Sequence, residues 1–235
     1  MTAVDTHAAP DTDKPVQLAA FDYDGTIING QSGELLVHYM MRSMKVPVKT
    51  VLSVGWWAFR YKLRLPIEQS EVREDIFNLF TGDSVEDVNT FLGEFHDEFV
   101  KPLIRPEALQ ELNRARQDGM HVLIVSASFD ALLRPMISEI GADALLATQM
   151  ECTPDGSRYT GKVKGRPVEG DEKVRSITEY ANELYGEGKW ELARAYGDHH
   201  SDIPLLAFAR ESYAVTPDSK MERTARRRQW TICQW

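Results

Sequence analysis

The chain is poor in cysteine, in positive charge and in long apolar runs, and each shortage closes off a class of protein. Its two cysteines, Cys152 and Cys233, offer neither a disulfide framework nor a metal-binding spacing, so a reducing, cytoplasmic setting is the expectation. Lys and Arg number 27 against 36 Asp and Glu, a formal charge of -9. Such a balance repels a phosphate backbone and argues against general nucleic-acid binding. The most apolar later stretch, residues 51–59, is too short to span a bilayer. The first residues are polar, with Pro10 and Pro15 and no apolar secretory core, so residues 1–16 read as a loose tail. No internal repeat is present. A chain of 235 residues is long enough for one domain with a sizeable insertion.

What the chain does have is acid at the ends of apolar runs. Gln17 to Phe21 is a short uncharged run suited to a strand buried on both faces of a parallel sheet. It leads into Asp22-Tyr23-Asp24-Gly25-Thr26, which places two carboxylates two residues apart, and ligands of such sheets bind just beyond the carboxyl ends of the strands. Gly25 allows a sharp turn or a close approach, and the loop after it can present N–H groups to an anion. His121 to Ser128 reads as a second buried strand ending in hydroxyls, with Ser126 the first donor for a phosphoryl oxygen. Lys173 opens a helical pattern carried by Val174, Ile177, Ala181 and Leu184, and its ammonium is a point charge for phosphate. Leu192 to Tyr196 is a third strand, leading into Gly197-Asp198-His199-His200-Ser201-Asp202. Each feature alone is weak, since Asp-Gly is a common turn and a strand-end Ser a common helix cap. Together, in this order, they point to metal-assisted phosphoryl chemistry.

These four segments resemble the haloacid dehalogenase (HAD) superfamily over most of the chain, from Leu18 to about Val215, and within it the phosphoserine-phosphatase-like branch. The stretches Ser126-Ala127-Ser128, Tyr159-Thr160-Gly161-Lys162, Glu172-Lys173-Val174-Arg175 and Asp202-Ile203-Pro204-Leu205-Leu206 carry the likeness to that branch. The resemblance implies a Mg2+-dependent phosphomonoesterase acting on a small phosphorylated metabolite. Asp22 is then the nucleophile, forming an aspartyl-phosphate, and Asp24 the proton donor and acceptor. Asp22, the Asp24 backbone carbonyl and Asp198 hold Mg2+. Ser126 and Lys173 bind phosphate, and Asp202 sits behind them, holding Lys173 or a metal-bound water. His199 and His200 read as exposed loop histidines outside the catalytic set. Where the branch carries a Glu for the substrate's amino group this chain has Gln31, with Glu34 one turn further on; Arg73 is the candidate for a substrate carboxylate.

The expected fold is α/β, a Rossmann-like parallel sheet with helices on both faces and an inserted all-helical cap. Residues 17–30 and 105–235 form the core and 31–104 the cap. Helical patterns run over 33–44, 50–63, 67–80 and 84–100, the last opened by a Ser84 to Asp87 capping pattern. A helix follows Pro106 and ends near Gly119, another covers 129–140, and 148–150 with 158–160 form a small hairpin around Asp155-Gly156. Trp56, Trp57, Phe59 and Tyr61 are read as cap core, pocket roof or interface patch, and Arg226-Arg227-Arg228 as a solvated helix end. A monomer or homodimer is expected. Two rival classes use similar parts: a signalling domain switched by phosphorylation of Asp22, and an idle phosphate-binding module. Asp24, two residues after the acceptor, and the long insertion before Ser126 favour an enzyme that hydrolyses its own intermediate.

Overall fold

Burial on both faces of the sheet is the organising fact. The computed structural model describes residues 14–43 and 76–235. Six strands lie parallel: β1 (Val16–Phe21), β2 (His121–Phe129), β3 (Ala144–Thr148), β6 (Trp190–Gly197), β7 (Glu211–Val215) and β8 (Thr231–Cys233). Their order is β3-β2-β1-β6-β7-β8. Because successive side chains of a strand point to opposite faces, Ala19 and Phe21 enter one apolar cluster while Leu18 and Ala20 enter another, and Val122 and Ile124 part from Leu123 and Val125 in the same way. On the first face lie α1 (Ser32–Ser43), α2 (Val85–Phe95), α3 (Pro106–Gln117) and α4 (Asp130–Ile140), contributing Leu36, Leu92, Leu112 and Leu133. On the second lie α5 (Asp171–Tyr185), α6 (Ile203–Phe208) and α7 (Ser219–Arg228), contributing Ile177, Leu206 and Met221. The doubly covered parallel sheet is the expected fold class.

The strand ends that matter are held in register by a ladder of rings. Phe21 and Tyr196 are paired across β1 and β6, and their rings stack at 4.1 Å. Tyr196 and Tyr213 are paired across β6 and β7 and stack at 4.5 Å. Aromatic pairs directly opposite one another stabilise a sheet and resist slippage. Asp22 follows Phe21 and Asp198 comes two residues after Tyr196, so this pairing places the two acids side by side; the Asp22 N–H also donates to the Tyr196 carbonyl at 2.9 Å.

The insertion leaves and re-enters the core through adjacent strands of chain. The Asn29 N–H donates to Leu103 O at 2.8 Å and the Arg105 N–H to Ile27 O at 2.9 Å, with Ile28 and Ile104 bridged antiparallel between them. Beyond this junction, Leu36, Phe77, Phe80, Leu92 and Phe95 join the cluster on the first face of the sheet. The hairpin of β4 (Met150–Cys152) and β5 (Tyr159–Val163) braces the same segment. Gly82 N–H donates to Tyr159 O at 2.8 Å and Tyr159 N–H to Asp83 O at 3.0 Å.

Several boundaries depart from the sequence-based expectation. Phe129 ends β2 rather than opening a helix, which starts at Asp130, because Phe129 pairs with Thr148 of β3. Thr148 consequently belongs to the large sheet, and the hairpin arms begin later than expected. The run 84–100 is not one regular helix. Ser84 caps it as expected, its Oγ accepting from the Asp87 N–H at 3.3 Å, but α2 gives way to a π-helical turn over His96–Val100. Residues 76–79 are the described part of the helix expected over 67–80. The helix expected over 50–63, the cluster Trp56, Trp57, Phe59 and Tyr61, and Arg73 lie outside the described residues.

Arg105, which sequence reading passed over as the residue before a helix-starting proline, is buried at the junction. Its guanidinium donates to Trp235 O at 2.6 Å, Gly25 O at 3.3 Å and Asn29 Oδ1 at 3.3 Å. It thus ties the turn after Asp24 to the re-entry point and to Trp235. Arg105→Met keeps much of the stem but removes three bonds donated by a buried guanidinium, each contributing about 0.5–1.5 kcal/mol net. The expected result is a thermal midpoint lower by about 5–15 °C, measured by circular dichroism; an unchanged midpoint contradicts this role.

Candidate active site

The carboxyl ends of β1, β2 and β6 open onto one buried group of side chains. Asp22 and Asp24 leave β1, Ser126 and Ser128 lie two residues apart where β2 becomes irregular, and Asp198 and Asp202 follow β6. Lys173 comes from the first turn of α5. Its Nζ donates to Asp22 Oδ1 at 2.5 Å and to Asp202 Oδ1 at 2.6 Å, and all three residues are buried. Asp202 is engaged on both oxygens, since Oδ2 accepts the His199 N–H at 3.3 Å. Its contact with Lys173 is one of the two arrangements expected from sequence.

Asp24 faces another way. Its Oδ1 accepts the Ser32 N–H at 2.5 Å, and its Oδ2 accepts from Ser32 Oγ at 3.0 Å and Ser128 Oγ at 2.5 Å. Ser32 starts α1, so the carboxylate also meets the positive end of that helix. Ser32 Oγ and Ser128 Oγ are 3.0 Å apart, either able to donate to the other. The two hydroxyls can therefore turn between donating to a carboxylate and accepting from a carboxyl proton. Sequence reasoning missed both residues as contributors. Ser128 carried a readable signal, a second hydroxyl at the end of the same strand as Ser126, whereas Ser32 had only its place just after the acidic turn. Ser126 Oγ accepts the Ser128 N–H at 3.1 Å, which leaves its own O–H to donate.

Electrostatically the site holds too much negative charge. Oxygens of Asp22, Asp198 and Asp202 lie within 4.8 Å of one another, with Asp24 nearby and Lys173 as the ammonium among them. Burial drives the Asp198 carboxyl up, reinforced by Asp22 and Asp202, to about 9. Burial raises Asp22 as well, against the pull of Lys173, to about 7. Asp24 also lies above the usual carboxylate range through burial, although its bonds from Ser128 and Ser32 restrain it. Burial opposes the Lys173 ammonium, but Asp202 and Asp22 outweigh it and hold its proton more firmly than in an ordinary lysine.

The same residues fit a small divalent cation. Asp198 Oδ1 is buried without a hydrogen-bond partner, which is costly for an oxygen with no counterpart. A β-carbon at Gly25 would lie 2.1 Å from Asp198 Oδ2, and Gly25 has φ +76°, so only glycine leaves this carboxylate its place. Hard, all-oxygen donors with net negative charge are the ligands magnesium takes.

Gln31, by contrast, has an exposed side chain just before α1, while Glu34 is half-buried one turn into it. Burial raises the Glu34 carboxyl, His38 lowers it and Asp24 raises it further, so Glu34 lies within the electrostatic reach of the site. His199 and His200 are half-buried rather than fully exposed. Burial and then His200 push the His199 imidazole below its ordinary value.

A parallel sheet with paired acids, a lysine and hydroxyls at one mouth is the arrangement of a phosphatase-type hydrolase. The pattern of the haloacid dehalogenase-like hydrolases matches residues 19–207. A histidinol-phosphatase of Neisseria meningitidis serogroup C (strain 8013) is 27% identical over 217 residues, covering 92% of this chain and 97% of that protein. Among solved structures, a protein of unknown function from Bordetella pertussis Tohama I has a TM-score of 0.82 at 21% identity, covering 94% of this chain and 99% of that one. A phospho-aspartyl intermediate analogue of phosphoserine phosphatase has a TM-score of 0.59 at 19% identity, covering 94% and 93%. The chain belongs to the haloacid dehalogenase-like hydrolases, with the fold of their phosphoserine-phosphatase-like branch, and is an enzyme of the phosphatase type. Among the described residues, no helix is long and apolar enough to cross a membrane.

Proposed function

We propose that the protein is a Mg2+-dependent phosphatase that hydrolyses a small phosphomonoester through an aspartyl-phosphate on Asp22, with residues 31–104 as a cap over the site. The observation that carries this reading is the separation of the two acids: Asp22 is bound to Lys173, while Asp24 is held by Ser32 and Ser128. Lys173 pulls the buried Asp22 carboxyl down against its desolvation, towards the ionised form a nucleophile requires, and Mg2+ bound beside it would pull it further. Asp24 is buried and raised in pKa, as a proton donor requires.

Asp22, the Asp24 backbone carbonyl and Asp198 would hold Mg2+, which would supply positive charge against the transferring phosphoryl group. A carboxylate oxygen of Asp22 attacks phosphorus, the bond from phosphorus to the ester oxygen breaks, and the departing alkoxide takes the Asp24 proton. Asp24, now a carboxylate, regains its donors from Ser32 and Ser128. It then accepts a proton from water as that water attacks phosphorus and the bond to Asp22 breaks, releasing phosphate. Lys173 and Ser126 donate to the phosphoryl oxygens, and Asp202 keeps Lys173 aimed at Asp22.

The relative named histidinol-phosphatase and the fold shared with a phosphoserine phosphatase favour an ester that also carries an amino group. Glu34 supplies a carboxylate for such an ammonium where Gln31 cannot, and Arg73 remains the candidate for a substrate carboxylate. A phosphate-release screen tests this reading, using phosphoserine, histidinol phosphate and amine-free esters, each with Mg2+ and with EDTA. Release that requires Mg2+ and is fastest on an amine-bearing ester is expected. No release from any ester, or equal rates in EDTA, contradicts it.

A further inference from the structure

The chain carries a formal charge of -9, yet five of its cations crowd into one helix of ten residues. Lys220, Arg223, Arg226, Arg227 and Arg228 all lie on α7 and all are exposed, and Glu222 is the only acid of that helix. Glu222 is already engaged by Arg226, whose Nε and Nη2 donate to its Oε1 at 3.1 and 2.6 Å. Among the described residues, the side chains of Lys220, Arg223 and Arg227 have no acidic partner. We propose that this face of α7 docks the protein onto an anionic lipid surface.

The fold itself gives no reason for the arrangement. Positions 220, 223 and 227 recur at helical spacing, so their cations stand in one row. Arg223 is three or four residues from Lys220, Arg226 and Arg227, and like charges so spaced work against a helix. The negative end of the helix dipole accounts for cations in the last turn, but Lys220 lies in the first turn, where the dipole opposes one. What holds α7 is its other side. Asp218 Oδ1 accepts the N–H groups of Lys220 and Met221 at 2.9 and 2.6 Å, and Met221 and Ala225 are buried in the second apolar cluster. That anchoring fixes the basic row on the outside.

The occupant follows from charge and placement. α7 packs on β7 and β8, the last two strands in the sheet order, so its outer face forms one margin of the sheet. A flat bilayer meets such a margin alone, whereas a nucleic-acid backbone runs on past it over a surface of acidic balance. Clusters of about four to eight Lys and Arg on one helix are a common device for anionic headgroups. Just beyond the helix, Trp230 is half-buried with the Arg228 guanidinium 5.5 Å over its ring, and an indole beside cations suits the headgroup layer. The apolar residues of α7 are already buried, so the contact is electrostatic and yields to salt. Because the Asp218 N–H donates to Asp198 O at 3.0 Å, the docked helix starts beside the phosphatase site.

The inference goes beyond the phosphatase reading and stands without it, since its readout is binding. The full chain is sedimented, in EDTA, with vesicles of phosphatidylcholine alone and of phosphatidylcholine mixed with phosphatidylglycerol. Wild type is expected on the anionic vesicles and not on the neutral ones. It is released as salt rises from about 0.1 M to 1 M, which cuts the screening length from about 10 Å to about 3 Å. The triple variant Lys220→Gln, Arg223→Gln, Arg227→Gln binds at least about tenfold more weakly, and its thermal midpoint stays that of wild type because Gln is a good helix former. A control triple, Lys162→Gln, Lys164→Gln, Lys189→Gln, removes the same charge from exposed positions elsewhere and keeps binding. Equal binding to both kinds of vesicle, undiminished binding by the α7 variant, or an equal loss in the control overturns the proposal. So does tighter binding to duplex DNA or RNA than to vesicles, which would assign this face to nucleic acid.

Discussion

Asp22→Asn abolishes turnover, with kcat lower by about 10^4-fold or more, while the protein stays folded. The size follows from the role, because removing a nucleophile removes the pathway through it, and such losses are among the largest seen for single residues. Preservation of the fold follows from the site. An amide at position 22 is nearly the same size as the carboxylate, can still accept from Lys173 Nζ, and lowers the excess of buried negative charge. Lys173 also keeps Asp202 as a partner at 2.6 Å. Steady-state phosphate release and a thermal melt on the same preparation read the two effects together. Substantial residual turnover removes Asp22 from its assigned role; loss of turnover with loss of fold would instead make it structural.

Asp198→Asn separates stability from activity in the opposite sense. In the metal-free protein the Asp198 carboxyl is pushed up to about 9 by burial, Asp22 and Asp202, from an ordinary value of 3.8. A carboxyl whose pKa is higher folded than unfolded binds its proton more tightly in the folded state. Its contribution therefore weakens the fold as pH rises above the unfolded value, and the cost is complete once pH passes the folded value. The wild type without metal should lose stability between about pH 4 and pH 9 through this group. Asp198→Asn flattens that slope and raises the metal-free midpoint at neutral pH by about 3 °C or more. Mg2+ reverses the ranking: it stabilises the wild type by binding the folded state, while the variant gains much less and loses phosphatase activity. Melts across pH with EDTA or Mg2+ check each limb. A variant less stable than wild type in EDTA contradicts the charge-excess account.

The parts of the site readable from sequence are those where burial edits composition. β1 lies inside the sheet, so it carries no charge until Asp22 marks its end, and the apolar close of β6, Ala195 to Gly197, leads into Asp198. Lys173 was readable because a helix must begin soon after Gly170 and its first turn faces the sheet edge. What escaped was contact made through space between elements with no local pattern to announce it. Ser32 and Ser128 reach Asp24 from 8 and 104 residues away. Arg105 looked like an ordinary residue before a proline and proved to be a buried clamp. His199 and His200 read as loop residues because Asp218, which gathers them, belongs to the start of another helix. At element ends the misses came from pairing, as when Phe129 stayed in β2 because β3 lies beside it.

The central claim is that Asp22 receives the phosphoryl group while Asp24 handles protons, and one measurement addresses it directly. Asp24→Asn is mixed with a phosphomonoester that the wild type hydrolyses, in Mg2+, quenched in acid within the turnover time, and peptide-mapped by mass spectrometry. Accumulation of phosphate on the peptide holding Asp22, abolished in the double variant with Asp22→Asn, is the predicted result. Hydrolysis by Asp24→Asn at the wild-type rate, or phosphate attached to any other residue, would contradict the account.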